Sequence, residues 1–355
     1  MTPNHIHGGD IYRHKNAVDF SANCNPFGTP ESVKKAVSEA MNQVRHYPDV
    51  RCESLKAAIS AYEGVSPEQV ICGNGAADLI FSLILAVKPK KALLPAPTFA
   101  EYEQALETVD CEIQRYILKE ENGFTVQEDF LSHITEDTDM VFLCNPNNPT
   151  GVLMSHEFLE KVLDRCRLTG SLLVLDECFV DFVEEPEKHT MKSRLSECEK
   201  LFLLKAFTKR YAMAGVRLGY GLCSHKGLLQ KMERVTQPWN VSTLAQAAGV
   251  AALSEKEYVE RTMEMIHRER KFLIGQMKQM GYEVFSSCAN YIFFRGPEDL
   301  YDKCLEKGIL LRDCSNYYGL KKGYYRTAVR LPEENKKLLK VLGIFAPGVA
   351  QEDKG

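Results

Sequence analysis

The sequence lacks the features of secreted, membrane-bound and nucleic-acid-binding proteins. Its 355 residues contain no apolar run long enough to cross a bilayer, and the N-terminus has no basic segment followed by an apolar stretch, so we expect neither a membrane segment nor a secretory signal. The formal net charge is −4, which gives no bulk attraction to nucleic acid. We therefore expect no membrane partner and no nucleic-acid partner.

Paired cysteine motifs are also missing. The twelve cysteines include no C-x-x-C pair, and Cys72, Cys144 and Cys178 lie inside apolar runs, which is typical of reduced core residues. Reduced cysteines favour a cytoplasmic protein. No set of metal ligands is predicted.

The glycine motifs of nucleotide-binding proteins are absent as well. Residues 73–78, with the sequence GNGAAD, follow the apolar residues 70–72 and precede the apolar-periodic segment 79–87, which predicts a strand, a glycine turn and a helix. The turn matches neither G-x-G-x-x-G nor a P-loop, so NAD and ATP are not favoured. A glycine turn at the start of a helix can still bind a phosphate through free N–H groups, although an ordinary strand-to-helix turn has the same pattern.

Strands and helices alternate along most of the chain. Further strands are predicted at 91–95, 111–118, 140–144, 172–175, 201–204, 216–222, 282–285 and 291–294, and helices at 53–62, 99–108, 126–134, 156–167, 256–280, 298–306 and 333–342. This alternation predicts an α/β fold with a mainly parallel central sheet covered by helices on both faces.

The chain length exceeds that of a usual single core, so we expect a large domain and a smaller α/β domain. The smaller domain is predicted to be built from both chain ends. The expected boundaries are an N-terminal arm at 1–28, the large domain at 29–255, a connecting helix with the C-terminal small domain at 256–345, and a disordered tail at 346–355.

Polar residues follow several of the predicted strands, at the strand ends where parallel sheets bind ligands. Asn148 lies after one strand, Asp176 ends the next, and Lys209 lies in a turn between the apolar runs 201–204 and 216–222. Burial lowers the pKa of an ammonium group. A lysine with a lowered pKa can form a Schiff base with an aldehyde, including that of pyridoxal phosphate.

These residues together describe one pyridoxal-phosphate site. A buried Asp176 needs a cationic partner, and a protonated pyridine nitrogen would be one. Arg217 and the 73–78 turn could bind the cofactor phosphate, and Asn148 the phenolic oxygen. Taken alone, Lys209 and Arg217 also fit a solvated loop, so the hypothesis depends on the agreement of all four features.

The order and spacing of these motifs are highly specific. They are N-P-x-N-P-T-G at 145–151, D-E-x-[FY] at 176–179 and [ST]-K at 208–209, with Arg217 eight residues after the lysine. In these motifs the chain resembles the fold-type I pyridoxal-phosphate enzymes of the class I/II aminotransferase group.

The resemblance implies a homodimer with active sites at the subunit interface. It implies that Tyr102 lies against the cofactor ring and that Tyr47 reaches the cofactor phosphate of the neighbouring subunit. Lys209 and Asp176 would be catalytic. The implied cofactor-binding residues are Tyr47, Gly75, Ala76, Ala77, Tyr102, Asn148, Asp176, Thr208, Lys209 and Arg217.

Two branches of this group compete, the L-threonine-O-3-phosphate decarboxylases of cobalamin side-chain biosynthesis and the histidinol-phosphate aminotransferases. Motifs at both chain ends resemble the decarboxylases, and Phe179 stands where the aminotransferases usually carry tyrosine. The implied substrate is a small phosphorylated amino acid, with Arg326 binding its carboxylate and Arg312, His7 and Asn23 as candidates for its phosphate. The full implied set is His7, Gly8, Asn23, Asn148, Arg312 and Arg326.

One position departs from the family pattern. Relatives commonly carry a serine three residues before the lysine, where it binds the cofactor phosphate, and this chain has Ala206. A lost hydrogen bond to a charged group is worth about 1.5–3 kcal/mol. A third class of function, a cofactor-binding regulator without turnover, is disfavoured because no nucleic-acid-binding module or basic appendage is recognisable.

Overall fold

The computed structural model describes residues 7–347. Residues 348–355 of the tail predicted at 346–355 lie outside this described range. The strands are β1 Val18–Asp19, β2 Val70–Gly73, β3 Lys91–Ala96, β4 Glu112–Ile117, β5 Met140–Cys144, β6 Leu172–Asp176, β7 Leu201–Ala206, β8 Gly219–Leu222, β9 Glu283–Val284, β10 Tyr291–Arg295, β11 Ile309–Leu310, β12 Arg312–Asp313 and β13 Tyr324–Ala328.

The α-helices alternate with these strands over the first two thirds of the chain. They are α1 Glu31–Ala40, α2 Glu53–Glu63, α3 Ala76–Val87, α4 Glu101–Glu107, α5 His156–Thr169, α6 Phe207–Arg210, α7 Lys226–Val235, α8 Thr243–Ala252, α9 Lys256–Gln279, α10 Leu300–Glu306 and α11 Pro332–Ile344. None of the helices in the part of the chain described here is long and apolar enough to span a membrane.

The central sheet has seven strands in the order β2-β8-β7-β6-β5-β3-β4. The pairs from β7 through β4 are parallel, and β8 runs antiparallel to both β7 and β2. The predicted mainly parallel sheet is confirmed, and its carboxyl ends meet along one edge, where β5, β6 and β7 end beside one another.

Both faces of this sheet are covered, as predicted. Alternate residues of a strand point to opposite faces, and β5 follows this rule: Met140 and Phe142 belong to one buried cluster with α3, α4 and α7. Val141 and Leu143 belong to a second cluster with α1, α2, α5 and α8. Two apolar cores therefore hold the strand ends in fixed positions.

Two smaller sheets lie beside the large one. A four-stranded sheet has the order β12-β13-β10-β9, with antiparallel pairing throughout. A two-stranded parallel sheet joins β1, near the N-terminus, to β11 in the last sixth of the chain. The N-terminal arm is thus hydrogen-bonded to C-terminal residues.

Two predicted elements were wrong. Segment 126–134 does not form an α-helix; it contains a 3₁₀ helix at Glu128–His133. Phe130 within this 3₁₀ helix and Ile134 directly after it are both buried, so the segment buries its apolar side chains without an α-helix. The turn predicted around Lys209 is instead the one-turn helix α6, which begins directly after β7.

Candidate active site

A cavity of about 240 Å³ opens at the carboxyl ends of β5, β6 and β7. Two groups of residues from the predicted site line it. We call the first the sheet group: Ala76, Ala77, Asn148, Asp176, Lys209 and Arg217. We call the second the arginine group: His7, Gly8, Asn23, Arg312 and Arg326.

Asp176 lies at the end of β6 and is almost fully buried, with 4% of its surface exposed. Its Oδ2 accepts a hydrogen bond from Tyr102 Oη at 2.6 Å and its Oδ1 accepts one from the Cys178 backbone N–H at 2.9 Å. Burial raises the pKa of this carboxyl above its ordinary value, because no ion pair with the described residues offsets the loss of water. A cation at this position would stabilise the carboxylate.

Tyr102 does not line the cavity, contrary to the role implied for it. Tyr102 belongs to α4, and its side chain is fully buried. Its ring stacks on Phe142 with ring centroids 5.0 Å apart, and its hydroxyl donates a hydrogen bond to Asp176. The aromatic ring on the cavity wall is Phe99, which packs edge-on against Tyr102. Phe99 is therefore the residue placed to stack on a flat ligand.

The predicted phosphate turn and Arg217 do meet. Gly75 has a φ of +86°, and a Cβ built there would lie 2.5 Å from Arg217 Nη2, so only glycine allows the guanidinium so close. Ala76 begins α3, and the free N–H groups of a helix start attract an anion. Gly75 itself lies beneath Arg217 and does not line the cavity.

Lys209 reaches the cavity from α6. Strand β7 ends at the half-buried Ala206, and one helical turn carries the half-buried Thr208 and Lys209 onto the cavity wall. The backbone O of Lys209 accepts a hydrogen bond from the Asn25 N–H at 2.9 Å, which ties this turn to the N-terminal arm. A primary amine is therefore presented within the same cavity as Asp176.

The cavity also contains two thiols, those of Cys144 and Cys178. Burial and the nearby Asp176 carboxyl raise the pKa of each well above its ordinary value. A thiol held neutral is a poor nucleophile, so neither cysteine is favoured as the nucleophile of the cavity. In the range 7–347, no cluster of three or more His, Cys, Asp or Glu side chains is arranged to hold a metal ion.

Arg326 is fixed by a set of acceptors. Asn148 Oδ1 accepts from its Nη1, and the Ser21 backbone O accepts from its Nη2 at 2.8 Å. Asn23, with its amide oxygen turned toward the guanidinium, accepts from Nη1 and Nε at 3.3 Å each. Asn23 thus contacts Arg326, whereas the sequence suggested it for the phosphate together with Arg312 and His7.

Arg312 and Arg326 lie directly opposite each other on the antiparallel strands β12 and β13. Opposite residues project from the same face of a sheet, and both arginines line the cavity while only 6% of each is exposed. Arg312 donates to Asn316 Oδ1 at 2.9 Å and lies over the ring of Tyr317. Like charges placed opposite each other are destabilising, so this pair favours bound anions.

The first described residues of the chain also line the cavity. A Cβ on Gly8 would lie 2.3 Å from the Ser21 backbone O, and the Gly9 N–H donates to Ser21 Oγ at 2.7 Å. This close approach brings His7 to the cavity mouth, where its Nδ1 lies 3.4 Å from Glu101 Oε1.

Tyr47 lies away from the cavity of its own chain. It is 78% exposed and stacks on Trp239 with ring centroids 4.4 Å apart. Its implied role at a neighbouring subunit's site is compatible with this exposure and stays a prediction.

Several residues that line the cavity were not selected from the sequence, and Phe99 and Glu101 are the two with the clearest chemical use. Both lie within the segment P-T-F-A-E-Y at 97–102, from which only Tyr102 was selected. No pattern in this segment distinguishes the residue facing the cavity from its neighbours, because the segment is a turn leading into the short helix α4 and has no clear period.

An α/β fold with a lysine, an aspartate and an arginine at adjoining strand ends is typical of fold-type I pyridoxal-phosphate enzymes. The family model "Aminotransferase class I and II" matches residues 15–342. The chain belongs to this family.

Individual relatives cover nearly the whole chain. The threonine-phosphate decarboxylase of Salmonella typhimurium is 35% identical, with 99% of each chain covered. The histidinol-phosphate aminotransferase structure from Clostridium acetobutylicum has a TM-score of 0.85 at 30% identity and covers 91% of this chain and 97% of that one.

The L-threonine-O-3-phosphate decarboxylase structure from Porphyromonas gingivalis has a TM-score of 0.81 at 25% identity, with 92% and 98% covered. The fold is therefore shared by both branches and does not separate them.

Proposed function

We propose that this protein is a pyridoxal-phosphate-dependent enzyme that decarboxylates L-threonine O-3-phosphate, giving (R)-1-amino-2-propanol O-2-phosphate and CO₂, as in cobalamin side-chain biosynthesis. The observation that carries the proposal is the pair Arg312 and Arg326, opposed on neighbouring strands in one cavity. Threonine phosphate carries a carboxylate and a phosphate in one small molecule. The full-length similarity to a threonine-phosphate decarboxylase supports this substrate.

The residues present fit pyridoxal phosphate. Asp176 is a buried carboxyl without an ion pair among the described residues, which suits a protonated ring nitrogen. The glycine at position 75 leaves room for Arg217 beside the start of α3, which suits a phosphate. Phe99 supplies an aromatic wall, and Thr208, which lines the same cavity as Ala206, would replace the missing serine.

When bound, pyridoxal phosphate supplies an aldehyde that condenses with a primary amine and a ring that accepts the electron pair of a breaking bond. Lys209 is the amine that would hold the cofactor. Asp176 would keep the proton on the ring nitrogen, and Asn148 would donate to the phenolic oxygen. Arg217 and the N–H groups at the start of α3 would bind the cofactor phosphate.

Arg326 would bind the substrate carboxylate and Arg312 the substrate phosphate. The carboxylate leaves as CO₂ while Cα takes up one proton. A guanidinium fixed by Asn148, Asn23 and the Ser21 carbonyl would hold the departing group in one direction, because its acceptors leave it little freedom to rotate. Orientation of this bond relative to the ring would favour decarboxylation over removal of the Cα proton.

Histidinol-phosphate transamination is the second candidate, favoured by the similarity to the aminotransferase structure. Histidinol phosphate has a phosphate and no carboxylate. It would therefore bind to only one arginine of the pair when it acts as the amino donor. A decarboxylase requires both arginines for one substrate.

Product analysis separates the two candidates. The holoenzyme is incubated with threonine phosphate in the absence of a keto acid, and CO₂ and the amino-alcohol phosphate are measured. We expect stoichiometric release of both. Turnover of histidinol phosphate with 2-oxoglutarate, without CO₂ from threonine phosphate, would identify an aminotransferase instead.

The assembly and compartment belong to the same proposal. We infer a homodimer in which Tyr47 reaches the partner's site, because Tyr47 is exposed and remote from the cavity of its own chain. The twelve cysteines are all free, which supports a reducing compartment such as the cytoplasm. Sedimentation of the holoenzyme tests the dimer.

A further inference from the structure

The carboxyl group of Glu101 lies on the wall of an anion-binding cavity and has no role in the proposed reaction. Its side chain is only 15% exposed, and its Oε1 lies 3.4 Å from His7 Nδ1. Its Oε2 is buried and makes no hydrogen bond with any residue in the described range. A buried carboxylate oxygen without a hydrogen bond stabilises the charged form poorly.

The groups facing Glu101, apart from His7, come from four different elements. Burial is the largest influence on the Glu101 carboxyl and brings its pKa to about 7. A hydrogen bond from its own backbone N–H and the charges of Lys209 on α6 and Arg312 on β12 lower the pKa, and Asp176 at the end of β6 raises it. Tyr317, in the loop after β12, lies close enough for Glu101 to raise the tyrosine pKa in turn. Glu101 therefore changes charge near neutral pH.

A phosphate monoester bound in this cavity would lie next to a carboxyl group whose charge changes near neutral pH. Its second ionisation has a pKa near 6, so the substrate phosphate is mainly a dianion at neutral pH. A Glu101 carboxylate beside Arg312 and His7 would repel it, because like charges within a few ångströms disfavour ionisation. A neutral carboxyl would instead offer an O–H donor to a phosphate oxygen.

We propose that Glu101 takes up one proton from solvent when the substrate phosphate binds beside Arg312, donates a hydrogen bond to that phosphate as the neutral acid, and returns the proton when the product leaves. Glu101 is thus a specificity-determining residue for phosphorylated substrates. This inference rests on the proposed function, which supplies the phosphorylated substrate.

The test compares the wild-type holoenzyme with Glu101→Gln, which is neutral at every pH and nearly isosteric. Glu107→Gln, at the exposed end of the same helix α4, is the matched control. The ratio of kcat/KM between wild type and each variant is measured with threonine phosphate from pH 6 to pH 9. The ionisation of the free substrate is shared by all three proteins, so it cancels from the ratio.

We expect kcat/KM of the wild type to fall relative to Glu101→Gln above pH 7, approaching tenfold per pH unit, since one proton is required. The change should appear in KM rather than kcat, and the ratio to Glu107→Gln should stay flat. Unphosphorylated threonine should show no such trend. Parallel profiles for wild type and Glu101→Gln would overturn the proposal.

A second measurement does not depend on turnover. Binding of inorganic phosphate to the holoenzyme is followed by titration calorimetry at pH 8 in buffers of different ionisation enthalpy. Wild type should take up about one proton more per phosphate than Glu101→Gln, because a carboxyl with a pKa of about 7 is mostly ionised at pH 8. Equal uptake, or no phosphate binding, would refute the role of Glu101.

The two failures are distinguishable. An enzyme that releases no CO₂ from threonine phosphate but shows the extra proton uptake would contradict the proposed function alone. An enzyme that releases CO₂ with equal proton uptake would contradict only the role of Glu101.

Discussion

The sheet group and the arginine group of the cavity are assembled in different ways. In the sheet group, Asn148, Asp176 and Lys209 each lie at or shortly after the end of a strand of the central sheet, and the sheet itself brings those strand ends together. In the arginine group, His7 and Arg312 are separated by most of the chain and meet only because β1 pairs with β11. The first group follows from local patterns, whereas the second requires contacts between distant segments.

This difference has a chemical counterpart. The sheet group is held by two apolar cores and contains the amine and the buried carboxyl that a cofactor needs. The arginine group lies on short strands and the N-terminal arm, and contains the charges that would select a substrate. Changes in the sheet group should therefore remove all chemistry, and changes in the arginine group should alter which substrate reacts.

The largest effect is expected for Lys209→Ala. Removing the only amine proposed to hold the cofactor should lower kcat by on the order of 10⁴-fold or more, as for other catalytic nucleophiles. Borohydride reduction followed by peptide mass analysis should label Lys209 in the wild type and no lysine in the variant. Lys231→Ala, on the exposed face of α7, is the control, and a label on a different lysine would show that the assignment is wrong.

Asp176→Asn should nearly abolish turnover without unfolding the protein. Asparagine is nearly isosteric and can still accept from the Cys178 N–H, but it cannot hold a proton on a ring nitrogen. We expect a loss in kcat of at least about 100-fold, or about 2.7 kcal/mol, with an unchanged unfolding temperature of the apoprotein. Equal rates for variant and parent would mean that a protonated ring is not required.

The two arginines should differ in their effects. Removing one partner of a buried charge pair costs about 3–5 kcal/mol, which is readily visible in kcat/KM. Arg312→Ala should lower kcat/KM far more for threonine phosphate than for threonine. Arg326→Ala should lower kcat/KM for both substrates and increase abortive transamination, because the carboxylate is no longer held. The two substrates serve as controls for each other, and equal losses for both in Arg312→Ala would refute a phosphate role for Arg312.

The smallest effect concerns Ala206, at the end of β7. Ala206→Ser would restore a hydroxyl near the proposed cofactor phosphate, and a hydrogen bond to a charged group contributes about 1.5–3 kcal/mol. We expect the Kd of pyridoxal phosphate to fall by about tenfold or more, measured by fluorescence titration of the apoprotein. An unchanged Kd would indicate that Thr208 already fills this role.

The fold class and most of the sheet group were predictable because both depend on short-range patterns. Strands such as β5 and β6 are continuous apolar runs, and the polar residue that ends each run marks the cavity edge. The helix at 126–134 was mispredicted because Val126, Phe130 and Ile134 recur at helical spacing, although the segment forms only a short 3₁₀ helix. Tyr102 was assigned to the cavity because its sequence position does not reveal which side of α4 faces the ligand.

The sequence by itself determined the alternation of strands and helices, the positions of Asn148, Asp176, Lys209 and Arg217 at strand ends and turns, and the family resemblance that these residues carry. These features follow from the local hydrophobic pattern and the spacing of motifs, both of which can be read from residues close together in the sequence.

Only the tertiary structure decided the register that places Arg312 opposite Arg326 and the burial of Tyr102 behind Phe99. It also decided the position of the Glu101 carboxyl, which is largely buried on the cavity wall next to His7. These features depend on strand pairing and on the removal of water from particular atoms. Both arise only when segments far apart in the chain pack together, so no local pattern encodes them.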